Sequence, residues 1–458
     1  MSILEGIRES FRLPDLRRRI LFTFLILVIY RLAANIPVPG VDREVLRQVL
    51  SPESPTGSFA QVLDLLSGGA VSNFSVLAMG VYPYITASII IQILTPIIPA
   101  LEELMKEGQA GRDKINRYTY YLAIPMAALQ AVGQINIFRG QGGQTIIPGF
   151  GFGPESDLLL TATVLATMTA GTMFAIWLGE LITEDGIGNG LSMVIFAGIV
   201  ARIPVNIVRL YSADTAATVR NSVLFLVLTV LTVAVIVVVQ EGQRRIPVKY
   251  GKRVRGMKMY GGGSTYLPLR VNTAGMIPLI FAQSFLSFPA ILASFFKNSN
   301  AVWVANTAST IETVFGGQGG NELGGQIIYW LAYFSMVVGF TYLYTDIMIR
   351  NQNLADSLQR NGGFIPGIRP GKNTEIFIQR VVTRITLVGA LFLGTIAVLP
   401  GLIQIVMDLI QPGTGLEVRS ALLIVSGGGL IIIVGVIIDT MRQLEAQLVM
   451  RHRESFIR

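Results

Sequence analysis

Apolar stretches of about 20 residues, the length a helix needs to cross the hydrocarbon core of a bilayer, recur from one end of this chain to the other. They fall at 20–34, 74–99, 118–138, 158–181 and 191–210, and again at 223–240, 272–296, 326–349, 376–399 and 421–441. Lipid offers no partner to a peptide N–H or C=O, so each stretch is expected to satisfy its own backbone as a helix. The expectation is an all-α polytopic membrane protein with about ten crossings by that length criterion. Of the 458 residues only 14% are charged, against roughly 25% in soluble domains, and no separate soluble domain is left over.

Arg8, Arg12, Arg17, Arg18 and Arg19 precede the first stretch. With Ala33 and Ala34 at its end, the pattern also fits the basic head of a cleavable signal peptide; a retained first span is the expectation. Lys and Arg stay on the cytoplasmic side of a membrane. A cytoplasmic N-terminus places Lys106, Arg112, Lys114 and Arg117, the basic residues from Arg244 to Arg270 and from Arg350 to Arg384, and those of the tail on that side. It leaves Arg43, Arg47, Arg139, Arg202, Arg209, Arg220, Lys297 and Arg419 outside. Both termini are therefore expected to be cytoplasmic. The loop between the fourth and fifth stretches lacks Lys and Arg, and Arg202, Arg209 and Arg220 lie outside, so the rule holds in aggregate and fails locally.

The chain has no cysteine and a single histidine, His452, in its tail. Thiol catalysis, disulfides and thiolate metal sites are excluded, and a His-based zinc site or general base nearly so. Neither an enzyme nor a cofactor is expected. Arg31, Glu180, Asp346 and Asp439 sit toward the ends of their stretches, and the middles are almost free of charge. Ion-coupled transport ordinarily places charges there. What remains for a centre is an apolar lining with polar groups such as Thr86, Gln92 and Gln130. A hydrophobic constriction of that kind gates a pore by dewetting.

The pattern G-x-x-P-x-I-x-A occurs twice, at Gly80, Pro83, Ile85 and Ala87 and at Gly275, Pro278, Ile280 and Ala282. Each copy lies in the second stretch of a set of five. Interrupted segments at equivalent positions of two repeats point to the functional centre of a membrane protein. Gly and Pro are also simply frequent in membrane helices, which is the bland explanation.

Three loops add information. Residues 59–66 are apolar at helical spacing before Ser67, Gly68 and Gly69, and are too short to span. They fit either a re-entrant helix in a cavity or a helix at the lipid interface. Residues 243–255 alternate basic and other side chains, which suggests a β-hairpin projecting from the membrane. Such a basic finger could meet an RNA backbone, an acidic protein surface or anionic lipid, or serve only as a topology anchor. Residues 361–371 hold Arg369 between two Pro-Gly turns. Gly371 and Lys372 lack the spaced glycine and the strand-to-helix context of a phosphate loop, so driving energy must come from a partner.

Residues 36–40, 66–70, 80–92, 108–112, 186–190, 242–245, 267–272 and 366–371 occur in the order and spacing of the SecY family of bacterial protein-translocation channels, which the chain resembles over nearly its whole length. The resemblance implies two inverted five-helix halves, 1–210 and 211–458, closed like a clamshell around an hourglass pore, with cytoplasmic loops near 241–271 and 350–375. It implies a plug near 59–72, including Phe59, Asp64, Ser67, Gly68 and Gly69. It implies a hydrophobic pore ring of Val81, Ile85, Ile195, Ile199, Ile280 and Ile432. The second and seventh spans become the sides of a lateral gate, with Thr86, Gln92, Gln130 and Asn272 as polar gate residues. Arg244, Arg245, Lys252 and Arg369 would form a docking surface for the SecA ATPase and the ribosome. SecE and SecG would complete the channel in the cytoplasmic membrane, and a signal sequence, the translocating polypeptide and lipid would be its other contacts. A small-solute transporter and a poreless membrane anchor or insertase are the competing readings.

Overall fold

A computed structural model describes residues 13–49, 67, 69–138, 145–151, 153, 156–210, 215–250, 253–255, 258–260, 263–296, 301–316, 323–352, 354–410 and 427–457. A helix stands at every apolar stretch. The first half holds α1 (Pro14–Ala33), a short α2 (Arg43–Val49), α3 (Tyr82–Leu94), α4 (Pro99–Lys106), α5 (Gln109–Ile137), α6 (Leu158–Asp185) and α7 (Gly190–Leu210). The second holds α8 (Thr215–Glu241), α9 (Ile277–Phe296), α10 (Val302–Gly316), α11 (Leu323–Gln352), α12 (Leu354–Arg360), α13 (Lys372–Ile410) and α14 (Gly427–Ile457). Among the described residues α6, α9, α11 and α13 are individually long and apolar enough to span. Pro14, Pro83 and Pro99 lie in the first turns of α1, α3 and α4, where no intrahelical N–H bond is lost.

Two helices start later than hydropathy suggests. The stretch at 74–99 is helical only from Tyr82, and that at 272–296 only from Ile277. Residues 70–81 form successive turns, mostly buried although they are not helical: Phe74 and Leu77 are fully covered. Hydropathy reports burial, and it cannot separate a buried turn from a buried helix. The turns find their partners in the protein. Val76 N–H donates to the Ile36 carbonyl (2.9 Å), Val38 N–H to Phe74 (3.0 Å) and Gly80 N–H to Leu77 (2.8 Å). Gly171 of α6 admits the segment, because a Cβ there would lie 2.0 Å from the Val76 carbonyl oxygen. At its other end α3 breaks, and α4 leaves at an angle of 102°.

The main core draws on both halves. Ile26 and Tyr30 of α1, Ile89 of α3, Leu178 of α6, Leu279 of α9, Val337 of α11, Leu393 of α13 and Ile431 of α14 belong to one buried cluster.

The basic loop after α8 forms the expected antiparallel pair, β1 (Gln243–Tyr250) with β4 (Ser264–Arg270), tipped by the smaller pair β2 (Arg253–Arg255) and β3 (Lys258–Tyr260). A second loop joins it, since β5 (Gly363–Phe364) pairs with β1 through Lys249 opposite Phe364. The sheet covers a core of its own in which Ile246, Val248 and Leu269 meet Ile365 and Ile378, Val381 and Val382 of α13. Strand alternation sends Ile246 and Val248 inward and turns Arg245 and Lys249 outward, and Arg244 is exposed as well. Ile246→Ala should therefore remove about 2–5 kcal/mol of packing. The expected result is faster tryptic cleavage within 243–255 with the helical circular dichroism unchanged.

Candidate functional site

The two copies of the Gly-Pro pattern have the same local structure. Gly80 and Gly275 adopt positive φ (52° and 65°), a conformation that costs an L-residue roughly 1–2 kcal/mol. Each glycine turns the chain into a helix whose first turn contains the proline, Pro83 in α3 and Pro278 in α9. The isoleucine two residues after each proline follows about one turn into its helix.

Ile85 and Ile280 are both buried in the main core cluster, which also holds Val81, Ile195, Ile199 and Ile432. Their exposures run only from 2% for Ile432 to 9% for Ile85. Ile195 and Ile199 lie four residues apart on one face of α7, and Ile432 comes from α14. All six are branched aliphatics. They fill space with side chains that carry neither charge nor hydrogen-bonding group.

A seam of sparse polar contacts runs beside this cluster. The Tyr82 hydroxyl of α3 donates to the Ser284 carbonyl of α9 at 2.7 Å. Gln130 Nε2 of α5 donates to Thr86 Oγ1 of α3 at 3.1 Å, and Thr86 donates in turn to the Tyr82 carbonyl. The Gln130 Oε1 atom is buried with no hydrogen bond of its own. A Cβ on Gly133 of α5 would lie 2.4 Å from Ile291 Cγ2 of α9, so these helices touch through a glycine. Tyr82, Gly133, Ser284 and Ile291 were not singled out in the sequence. Tyr82 lies inside the first Gly-Pro motif, which is a usable signal; the acceptor at Ser284 is a backbone carbonyl, which leaves none.

Gln92 and Asn272 are not part of the Thr86–Gln130 pair. Gln92 Nε2 donates to Ser88 Oγ one turn back on α3. Asn272 precedes α9 and closes the turn there, donating to the Gly275 carbonyl at 3.0 Å. It lines a cavity with Arg270, Gly275, Met276 and Asp439. A neighbouring cavity of about 350 Å³ shares Arg270, Met276 and Asp439 and reaches Asn189 and Gln443. Met276 also belongs to the main cluster, so this mouth lies next to the six aliphatics. Arg442 pairs with Glu241 at 2.8 Å and Arg270 with Asp439 at 3.9 Å, but half-exposed pairs of this kind contribute little to stability. Burial, then the nearby Arg442 charge, lowers the Arg270 pKa from the ordinary guanidinium range. Among the sequence's other charges, Glu180 accepts a hydrogen bond from Tyr120.

Of the expected plug residues, Phe59, Asp64 and Gly68 lie outside the described residues. Ser67 and Gly69 are buried. The Ser67 carbonyl accepts the Tyr30 hydroxyl at 3.1 Å, and its Cα would lie 3.4 Å from a Cβ on Gly80. The segment leading out of 59–66 thus lies against the turn that starts α3. Of the expected docking residues, Lys252 lies outside the described residues, while Arg244, Arg245 and Arg369 are exposed. Arg244 and Arg245 are on β1, and Arg369 follows β5 of the same sheet; its carbonyl accepts Thr374 Oγ1 at 3.0 Å.

Known proteins share this fold. The SecY family model matches residues 75–441. Protein translocase subunit SecY of Mycobacterium tuberculosis H37Rv is 40% identical and covers 100% of both chains. That of Thermotoga maritima MSB8 is 38% identical over 99% of this chain and 98% of the relative. Among solved structures, a protein-conducting channel superposes with a TM-score of 0.58 at 18% identity, over 94% of this chain and 93% of the other. A SecY structure whose plug domain stabilises the closed state of its channel gives 0.61 at 17% identity, over 94% and 92%. Full-length identity, a family match over most of the sequence and a common fold all lead to one conclusion: this chain belongs to the SecY family of protein translocase subunits.

Proposed function

We propose that the chain is the protein-conducting channel of a bacterial Sec translocon, and that Val81, Ile85, Ile195, Ile199, Ile280 and Ile432 are the collar through which polypeptides pass. The observation that carries the reading is that these six aliphatic side chains are all buried and belong to the main core cluster, two of them one turn into helices that begin at matching Gly-Pro turns. A ring without polar groups closes by dewetting when empty and seals around an extended chain without holding it.

Halves 1–210 and 211–458 move apart at the seam of α3 and α5 against α9, with Thr86, Gln130, Gln92 and Asn272 as its polar residues. A segment of about 20 apolar residues leaves by that route because lipid is its better solvent. Helix α9 packs against both α3 and α5, which supports a closed seam in this conformation. Residues 59–72 plug the far funnel. Exposed Arg244 and Arg245 on β1, and exposed Arg369 in the loop that follows β5 of the same sheet, support a docking surface, completed by Lys252, for the SecA ATPase and the ribosome. A ribosome-bound Sec61 channel from dog shares the fold with a TM-score of 0.56. SecE and SecG are the membrane partners, and both termini face the cytoplasm of a multi-pass protein in the bacterial inner membrane. The channel subunit catalyses no covalent step.

Conductance of the chain reconstituted with its small partner subunits tests the pore. Deletion of 59–72 should convert a shut channel into a large, weakly selective one, and Ile85→Asn or Ile280→Asn should raise the resting ion leak. Silence of the deletion variant would remove the plug and collar assignments, and saturable small-solute uptake by the chain alone would favour a transporter.

The seam makes a separate prediction. Gly133→Val drives a side chain into Ile291, and overpacking of this kind costs about 1–3 kcal/mol. The closed state should lose roughly tenfold in population per 1.4 kcal/mol. Cross-linking between α5 and α9 should fall and resting leak should rise; unchanged cross-linking would mean that these helices do not form the moving seam.

A further inference from the structure

The cavity where the sheet joins α9 has walls from both halves of the chain. Ser192 of α7 comes from the first half, and Arg270, Asn272, Met276 and Gly435 from the second. Its volume is about 230 Å³. At its rim Arg270, Asp439 and Arg442 are partly exposed. Deeper in, Met276 packs in the same buried cluster as the six aliphatics, and Ser192 lies three residues before Ile195 on α7. The cavity therefore leads from water toward those six side chains.

Two uncharged amides are buried in its wall. Gln240, in the last turn of α8, is 7% exposed, and Asn272 is 6% exposed. Among the described residues, Nε2 of Gln240 and Oδ1 of Asn272 are buried without a hydrogen bond. The Nδ2 of Asn272 donates to the Gly275 carbonyl, which fixes the amide and leaves its oxygen as an acceptor. Gly435 of α14 keeps space beside the other amide, since a Cβ there would come 3.4 Å from Gln240 Nε2. Burying a polar atom without a partner is costly, so two of them at one cavity point to a ligand that supplies both partners. The wall offers one donor and one acceptor. Each arginine of the rim has a carboxylate beside it, Asp439 for Arg270 and Glu241 for Arg442, so an anion would find no uncompensated charge there. The complement of such a wall is a peptide group, which carries one C=O and one N–H.

We infer that Gln240 and Asn272 form a transient binding site for the backbone of the polypeptide in passage, Gln240 Nε2 donating to one of its carbonyls and Asn272 Oδ1 accepting from one of its N–H groups. The inference rests on the channel reading above and adds a contact that an apolar collar cannot make. The site reads backbone, so it takes any sequence, with proline alone lacking the N–H. Its two neutral hydrogen bonds are weak enough to release the chain. They stand in for water on a peptide group that is about to enter an apolar constriction.

The natural absence of cysteine allows a direct test, with Ser192→Cys as the sole thiol of the chain. The full chain, reconstituted with its small partner subunits and SecA, receives a secretory precursor halted by a folded C-terminal domain. The precursor carries one cysteine in an uncharged Gly-Ser stretch, stepped in position until it meets the thiol at 192. Disulfide yield is measured per protease-protected precursor. Gln240→Leu, similar in size but without a donor, should lower that yield about two- to twelvefold. A precursor prepared by chemical ligation with an ester in place of the amide beside its cysteine lacks one N–H, and should show a loss of the same order when Gln240 is in place. Equal yields in all pairings overturn the proposal. So does a loss with Gln240→Leu that the ester does not reproduce, because the glutamine then acts only through packing. Failure to form any protected precursor with Gln240 in place defeats the channel reading itself, and the site with it.

Discussion

A backbone removed from water must find every hydrogen bond within the protein, and the centre of this fold is where that demand is hardest to meet. Ordinary membrane helices satisfy it along their length. Here α3 and α9 begin inside the protein, after turns whose peptide groups cannot be paired by a helix. The turn before α3 is completed by the strand-like backbone of residues 36–38, which exchanges hydrogen bonds with residues 74–76. Gly171 allows the same segment to lie against α6 with no side chain between them. The two glycines with positive φ and the two first-turn prolines then set where each helix starts, and with it the position of Ile85 and Ile280.

The contacts that join the helices around this centre are few. Between α3 and α9 a tyrosine hydroxyl meets a backbone carbonyl, and between α3 and α5 an amide meets a threonine hydroxyl. Interhelical hydrogen bonds in membranes average about 0.6 kcal/mol, because separated helices find other partners. The rest of the seam is packing at a glycine. An interface of this kind specifies one arrangement without making it costly to leave. Replacing its polar contacts by continuous aliphatic packing would lose the specificity and gain little in lipid, where apolar association has no hydrophobic driving force.

The helical architecture was legible in the sequence because membrane insertion ties hydropathy to length, and the ten long apolar stretches coincide with ten helices. The Gly-Pro repeat was legible because both copies need the same backbone conformation. Helix starts were less so. Residues 74–81 are as apolar as the helix they precede, and positive φ at Phe74 and Gly80 separates turn from helix. Helix α10 escaped because its threonine-rich face lacks the hydropathy of a span. Gln92 and Asn272 show the limit for single side chains. Gln92 bonds Ser88 one turn back and Asn272 the Gly275 carbonyl, and such local partners have no periodicity to betray them.

The sheet at the other end of the molecule follows a different logic. Its exposed arginines belong to segments more than a hundred residues apart, and either loop alone would be a hairpin or tip too small to hold its shape in water. Pairing β5 on β1 and seating both on α13 gives them a shared apolar core. Arg244 and Arg245 then stand on the strand whose alternate residues, Ile246 and Val248, are fixed in that core. Strand β4 leads through the Asn272 turn directly into α9, so the sheet is joined to the central helix by only a few residues.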